Sequence, residues 1–208
     1  MAEDSSAIVT TIDNALAVIR FNQPAQRNPL SISTLIELER ILFELTARDD
    51  VKSLIFTGTA DIFASGANIR ELAQLDRTSA LLFSQLGQRV FQKIAAASQL
   101  TIAAINGYCM GGALDLALAC DIRVASTNAV FAHPGVRLGI ITGWGGTQRL
   151  PRIIGRTRAL EFFAIAGRHS SEAALEMGLI SHVGEPVIEC ARQVAAGYWA
   201  KQKKKVAN

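Results

Sequence analysis

The chain has 208 residues, half of them hydrophobic, and a formal charge of +3. That is enough apolar material for one α/β domain with a sizeable core, with no run long enough for a membrane span and too little basic excess to argue for nucleic-acid binding. Cys109, Cys120 and Cys190 are an odd number without metal-ligand spacing, and residues 1–6 are acidic and polar, not a secretory signal; a cytoplasmic protein without a metal site is expected.

Residues 8–12 and 16–21 are β-rich runs that read as a hairpin joined at Asp13-Asn14. Asn22-Gln23-Pro24 ends the second strand, because proline cannot donate to a ladder. Residues 25–29 form a loop. Ser31 or Ser33 can cap the next helix, in which Ile32, Leu35, Ile36, Leu38, Ile41, Leu42 and Leu45 fall at helical spacing. Residues 51–58 form a strand around Leu54, Ile55 and Phe56. Residues 63–68, Phe-Ala-Ser-Gly-Ala-Asn, read as a small-residue loop ahead of a short helical segment, a place where backbone amides can be presented. Residues 80–94 carry Leu81, Leu82, Leu86, Val90, Phe91 and Ile94 as the stripe of an amphipathic helix.

The middle of the chain is the most informative. Residues 101–105 are an apolar strand, Asn106-Gly107 breaks it, and Gly111-Gly112 opens an apolar helix that runs to Ala119. The first amides of such a helix lack intrahelical acceptors, and its dipole adds positive potential there. Glycine lets a ligand approach that backbone closely. Asp115 sits one turn inside the apolar helix, where its charge is costly unless it is paired, hydrogen-bonded or used. Residues 122–125 and 130–132 are short strands, and His133-Pro134-Gly135 interrupts. Residues 139–146 are glycine-rich around Trp144. Residues 156–166 are helical, and Ser170 caps a helix with Glu172 in its first turn that ends at Gly178. Residues 179–183 give a last strand and 186–200 a last helix, which trails into a solvated Lys201-Gln-Lys-Lys-Lys205 tail. The alternation predicts α/β architecture with mostly parallel strands, with no linker and no internal repeat.

Several segments match one family in order. Asn22-Gln-Pro-Ala-Gln-Arg-Asn28, Phe63-Ala-Ser-Gly-Ala-Asn-Ile69, Ala104-Ile-Asn-Gly-Tyr108, Gly111-Gly112, Ala119-Cys-Asp-Ile122 and Gly145-Gly-Thr-Gln-Arg-Leu150 together resemble the crotonase superfamily, and within it the enoyl-CoA hydratase/isomerase family. The resemblance spans about residues 8–183. It implies a ClpP/crotonase-like ββα superhelix, here with a shortened C-terminal helical region. Residues 1–185 would then be an acyl-CoA-binding core, and 186–208 a short helix with the lysine tail. It also implies a homotrimer or hexamer acting on coenzyme A thioesters of fatty acid metabolism, with no further cofactor and no nucleic-acid or membrane partner. By position, the amides of Ala67 and Gly112 would form the oxyanion hole. Ala25, Gln26 and Arg27, with Asn68, Ile69 and Arg70, would contact the adenine and pantetheine. Arg27, Arg70 or the terminal lysines would meet phosphates.

The sequence departs from the family where the chemistry is done. The resembling hydratases hold a water between two glutamates, whose positions fall here on Asp115 and Gly135. Asp115 keeps a carboxylate but loses about 1.5 Å of reach, and a misplacement of that order can cost about 100-fold in rate. Gly135 has no acid or base. Asn68 replaces the usual aspartate. The serine needed for peptidase chemistry is missing from residues 111–114. Three readings follow: enolate chemistry with Asp115 alone, as in isomerisation or a modified hydration; His133, two residues before Gly135 and on the same face of an extended strand, as the replacement acid–base group; or a non-catalytic acyl-CoA-binding protein or scaffold subunit. The short C-terminus implies a more open pocket, or one completed by another chain.

Overall fold

A computed structural model describes residues 6–206, with side chains described to residue 202. The first hairpin is β1 (Ile8–Asp13) and β2 (Leu16–Phe21), antiparallel. Its turn residues are Asn14 and Ala15, both at positive φ, so the turn lies one residue later than the sequence suggests. A short 3-10 turn, Pro24–Gln26, leads to β3 (Pro29–Leu30) and to α1 (Ile32–Thr46). Ser31 is the cap of α1, accepting from the Thr34 amide at 3.0 Å.

The next 80 or so residues wind as repeated strand–strand–helix units. β4 (Ser53–Thr57) is followed by β5 (Ile62–Ala64) and β6 (Gly66–Ala67), then α2 (Ile69–Leu72) and α3 (Arg77–Ala95). Residues 63–68 are therefore two short strands and a cap, not a loop. Helix α3 starts three residues before residue 80, because Asp76 and Ser79 form a capping box. β7 (Leu100–Ile105), β8 (Tyr108–Met110) and α4 (Gly112–Ala119) make the second unit. β8 is missed by periodicity, being three residues between two glycine-containing bends. β9 (Ile122–Ala125) and β10 (Val130–Ala132) begin the third unit, and a 3-10 turn, Pro134–Leu138, leads towards α5 (Gly146–Ile154). α5 is also missed by sequence, because Pro151 in its interior reads as a breaker. α6 (Arg156–Ile165), β11 (His169–Ser170), α7 (Ser171–Glu176), β12 (His182–Val183) and α8 (Val187–Val206) complete the chain. The last strand is shorter than residues 179–183.

The first strand of each unit joins a six-stranded sheet, ordered β1-β2-β4-β7-β9-β12, parallel except for the opening hairpin. The second strand joins a four-stranded sheet, ordered β11-β10-β8-β5, and β3 pairs β6. The Asn106 side chain locks two units together, accepting from the Gly58 amide and donating to Ala60 O, both at 2.9 Å. Every residue of β4 and β7 is buried. Alternate residues explain why these runs are apolar throughout: Leu54, Phe56, Ala103 and Ile105 face the main core, while Ile55, Leu100, Ile102 and Ala104 face Val187, Ala191 and Ala195 of α8. Helix α8 thus covers the outer face of the large sheet. No helix of the described residues is long and apolar enough to cross a membrane.

Candidate active site

The site begins at the bend between β8 and α4. Gly111 sits at φ 55°, which an L side chain rarely adopts, and its amide donates to Ala132 O at 2.9 Å. The amides of Leu114 and Asp115 return to Gly111 O at 2.9 and 3.3 Å, so the helix is formed from its first turn. Gly112 is the first residue of α4, and its N–H has no acceptor within the helix. A Cβ on Gly112 would overlap the Trp144 ring and stand 3.5 Å from the Ala67 nitrogen. A Cβ on Gly66 would stand 2.8 Å from the Gly112 nitrogen. The backbone at residues 66–67 and at Gly112 is therefore brought together from different ββα units, side by side at one corner of a cleft.

Helix α4 directs Asp115 into the same cleft. Asp115 is 1 % exposed, and its Oδ2 accepts a hydrogen bond from the Thr142 hydroxyl. Its Oδ1 lies 3.4 Å from Nε2 of His133, which is 5 % exposed. Neither of these two atoms has a hydrogen-bond partner among the described residues. Such atoms are rare in folded proteins, and here two of them face each other in the wall of one cleft. A Cβ on Gly146 would overlap Asp115 Oδ1, so α5 starts tight against the carboxylate and its dipole favours the charge.

His133 does not lie on an extended strand with Gly135. β10 ends at Ala132, and Pro134, with φ fixed, starts a 3-10 turn. The turn nevertheless folds Gly135 back beside the ring: a Cβ there would stand 3.6 Å from His133 Nδ1. The same Cβ would stand 2.8 Å from Ile140 O, whose residue also donates its amide to Gly135 O at 3.1 Å. A close backbone approach thus requires glycine at 135. The His133 ring packs edge-on against Phe163, with centroids 5.1 Å apart.

The cleft has a volume of about 320 Å³ and mostly apolar walls, among them Leu72, Phe83, Leu138, Ile141 and Trp144. A second groove of about 550 Å³ shares Ser65, Ala67 and Ile69 with it and carries Ala25, Gln26, Arg27, Asn68 and Arg70. All six residues expected to contact coenzyme A line this one groove. Buried Asn28 holds the 25–27 turn in place, accepting from the Gln23 amide at 2.7 Å and donating to Ile62 O at 2.9 Å. Asn68 caps α2 through the Arg70 amide at 3.0 Å, a role that asparagine fills as well as aspartate. Arg27 and Arg70 are exposed and have no ion-pair partner among the described residues. The side chains of Lys203, Lys204 and Lys205 lie outside the described residues.

Other singled-out residues have structural surroundings. Asp121 accepts from the Thr101 amide and hydroxyl at 2.9 and 2.8 Å. Burial, and then the charge of Asp115, pushes the Cys109 thiol well above its ordinary range, so it stays protonated. Trp144 is both core and cleft wall, with its ring against Phe83 and Phe91. His169 stacks on Phe162, and His182 bonds its neighbour Ser181. Thr142 and Gly146, which hold Asp115, carry no sequence signal of that contact beyond lying in the glycine-rich segment 139–146. Among the described residues, no group of three or more His, Cys, Asp and Glu could hold a metal ion.

The chain is similar to known proteins over most of its length. The profile of the family described as enoyl-CoA hydratase/isomerase matches residues 11–208. A short-chain-enoyl-CoA hydratase of Clostridium acetobutylicum is 35% identical over 191 residues, which cover 90% of this chain and 73% of that protein. A crotonyl-CoA hydratase of Syntrophomonas wolfei is 38% identical over 180 residues, covering 86% and 69% of the two chains. The crystal structure of an enoyl-CoA hydratase from Bacillus anthracis superposes with a TM-score of 0.89 at 33% identity, covering 92% of this chain and 76% of that one.

Proposed function

Because the chain belongs to the enoyl-CoA hydratase/isomerase family, we propose that it turns over an acyl-CoA thioester through an enolate, with Asp115 and His133 as its acid–base pair. The single observation that carries the pairing is the facing of Asp115 Oδ1 and His133 Nε2, both buried and otherwise unpartnered, in the cleft wall. In this reading the thioester oxygen rests between the Ala67 and Gly112 amides. In hydration, water gives up a proton to His133 as its oxygen bonds to C3; in isomerisation, His133 takes a proton from C2 of the acyl group. The electron pair moves onto the thioester oxygen, and the enolate then takes a proton at carbon. The amides stabilise that oxygen by about 3 kcal/mol each, by the precedent of single oxyanion donors. His133 moves the proton. Asp115, too short to replace a glutamate alone, orients the imidazole and offsets its charge. In this reading the role of the second carboxylate passes to a side chain two residues earlier, because the 134–138 turn folds back and sets Nδ1 beside Gly135.

The coenzyme would lie along the 25–27 turn and residues 68–70, with Arg27 and Arg70 free to meet phosphates. The acyl group would enter the apolar cleft. A homotrimer or hexamer is part of the same reading, to be checked by light scattering.

Turnover of a panel of 2- and 3-enoyl-CoA thioesters tests the proposal in the parent, Asp115→Ala and His133→Gln. Each substitution should lower kcat by about 100- to 10,000-fold, the range of general acid–base catalysis. Equal activity in all three rejects the pair. Calorimetric binding of a CoA thioester without any turnover in the parent would instead support a binding-only protein. Gly135 favours that second reading; the enoyl-CoA hydratase names of the relatives favour turnover.

A further inference from the structure

We propose that Thr142 is a positioning residue, whose hydroxyl fixes Asp115 in the one orientation that presents Oδ1 to His133. This rests on the acid–base reading above and deepens it by naming the group that orients the pair.

An ionised carboxylate can only accept, so in the Thr142–Asp115 contact the hydroxyl donates to Oδ2. The donor itself is held by the loop: the Trp144 amide donates to Thr142 Oγ1 at 3.5 Å. The χ2 torsion of aspartate is broad and roughly two-fold, so a free carboxylate would not keep one oxygen toward a neighbour. Fixing Oδ2 with the hydroxyl fixes Oδ1 as well. Gly146 limits the opposite side, since any Cβ there would overlap Oδ1. Of the other charged or titratable groups near Asp115, Arg149 on α5 donates to Trp144 O at 3.0 Å and Cys109 on β8 is kept neutral by burial. Among the described residues, Thr142 supplies the only hydrogen bond to this carboxylate.

The contact also joins the two halves of the site. Thr142 and Trp144 belong to one short loop, and the Trp144 ring lies against Gly112, whose amide is the expected oxyanion donor. One loop thus sets both the carboxylate and the wall behind the amide. A proton on Nε2 would fill the gap between these two unpartnered atoms, so the oriented carboxylate should favour the imidazole tautomer that carries its proton there. Nδ1, beside Gly135, is left as the proton acceptor.

Thr142→Val removes the donor at nearly constant shape, and Thr142→Ser keeps it. Thr142→Val should lower kcat about 10- to 100-fold, the scale of a misplaced catalytic group, with KM changed less than about threefold. Thr142→Ser should recover kcat to within about threefold. In an Asp115→Ala background, Thr142→Val should cost less than about twofold, because the carboxylate it orients is gone. A full additive loss there overturns the proposal. A second readout needs no turnover: ring 15N shifts of His133 should report the Nε2-protonated tautomer in the parent and in Thr142→Ser, and a mixture in Thr142→Val. Identical ring spectra in the parent and Thr142→Val overturn the role of Thr142. Absence of turnover in the parent overturns the acid–base reading, and the spectra still decide Thr142.

Discussion

The two sides of the cleft are built on different principles. On one side, Ala67, Gly112 and the 25–27 turn offer mainly backbone, and what matters is where the chain runs. On the other, Asp115, His133 and Thr142 offer side chains, and what matters is which atoms they carry. The backbone side accepts a changed residue at Asn68, because the amide it caps does not depend on the identity of the carboxyl or amide group. The side-chain side has glycine at 135, and its polar groups are Asp115, His133 and Thr142. A functional contact made by backbone is insulated from substitution so long as nothing blocks it; one made by side chains is not.

The largest effect that would sharpen this contrast is expected at Gly112. Gly112→Ala changes no functional side chain, yet its Cβ would overlap the buried Trp144 ring. Displacing the amide should lower kcat/KM more than about 100-fold, as loss of an oxyanion donor does. Overpacking should cost about 1–3 kcal/mol in a chemical melt. A fully active, equally stable Gly112→Ala would break the contrast.

A smaller effect is expected at Gly135. Gly135→Glu restores the carboxylate usual at this position, but its Cβ would stand 2.8 Å from Ile140 O. The variant should be less stable by about 1–3 kcal/mol and should show no gain in kcat. A gain of tenfold or more would mean that the side-chain side had lost a group and not been rebuilt. The smallest effect is expected at Asn68. Asn68→Ala should cost about 1 kcal/mol through the lost cap of α2, while Asn68→Asp should leave the melting temperature unchanged.

Much of the backbone side is legible in the sequence. Gly111-Gly112 after an apolar strand announces a bend with free amides, and the groove residues 25–27 and 68–70 sit in segments that the family motifs mark. The apolar runs 51–58 and 101–105 announce buried parallel strands, because both of their faces are covered. The side-chain side is less legible. Asp115 stands out as a charge in an apolar helix, but the contacts that define its role come from residues 133, 142 and 146. Those contacts depend on how the 3-10 turn after Ala132 folds back and on a helix that contains Pro151, which local propensity opposes. The extended-strand placement of His133 and Gly135 was wrong for that reason: Pro134 turns the chain, and the two residues meet by folding back.

The Asn106 clamp has a kinetic consequence. By tying the bend after β7 to the bend after β4, it sets the pitch between the unit that carries Ala67 and the unit that carries Gly112. The two amides are far apart in the unfolded chain, and the entropy of closing that long loop is spent during folding. Under the proposed function, an incoming thioester would therefore meet two donors already spaced for it. It would not need to draw them together, and its binding energy would remain available for the step in which charge builds on oxygen.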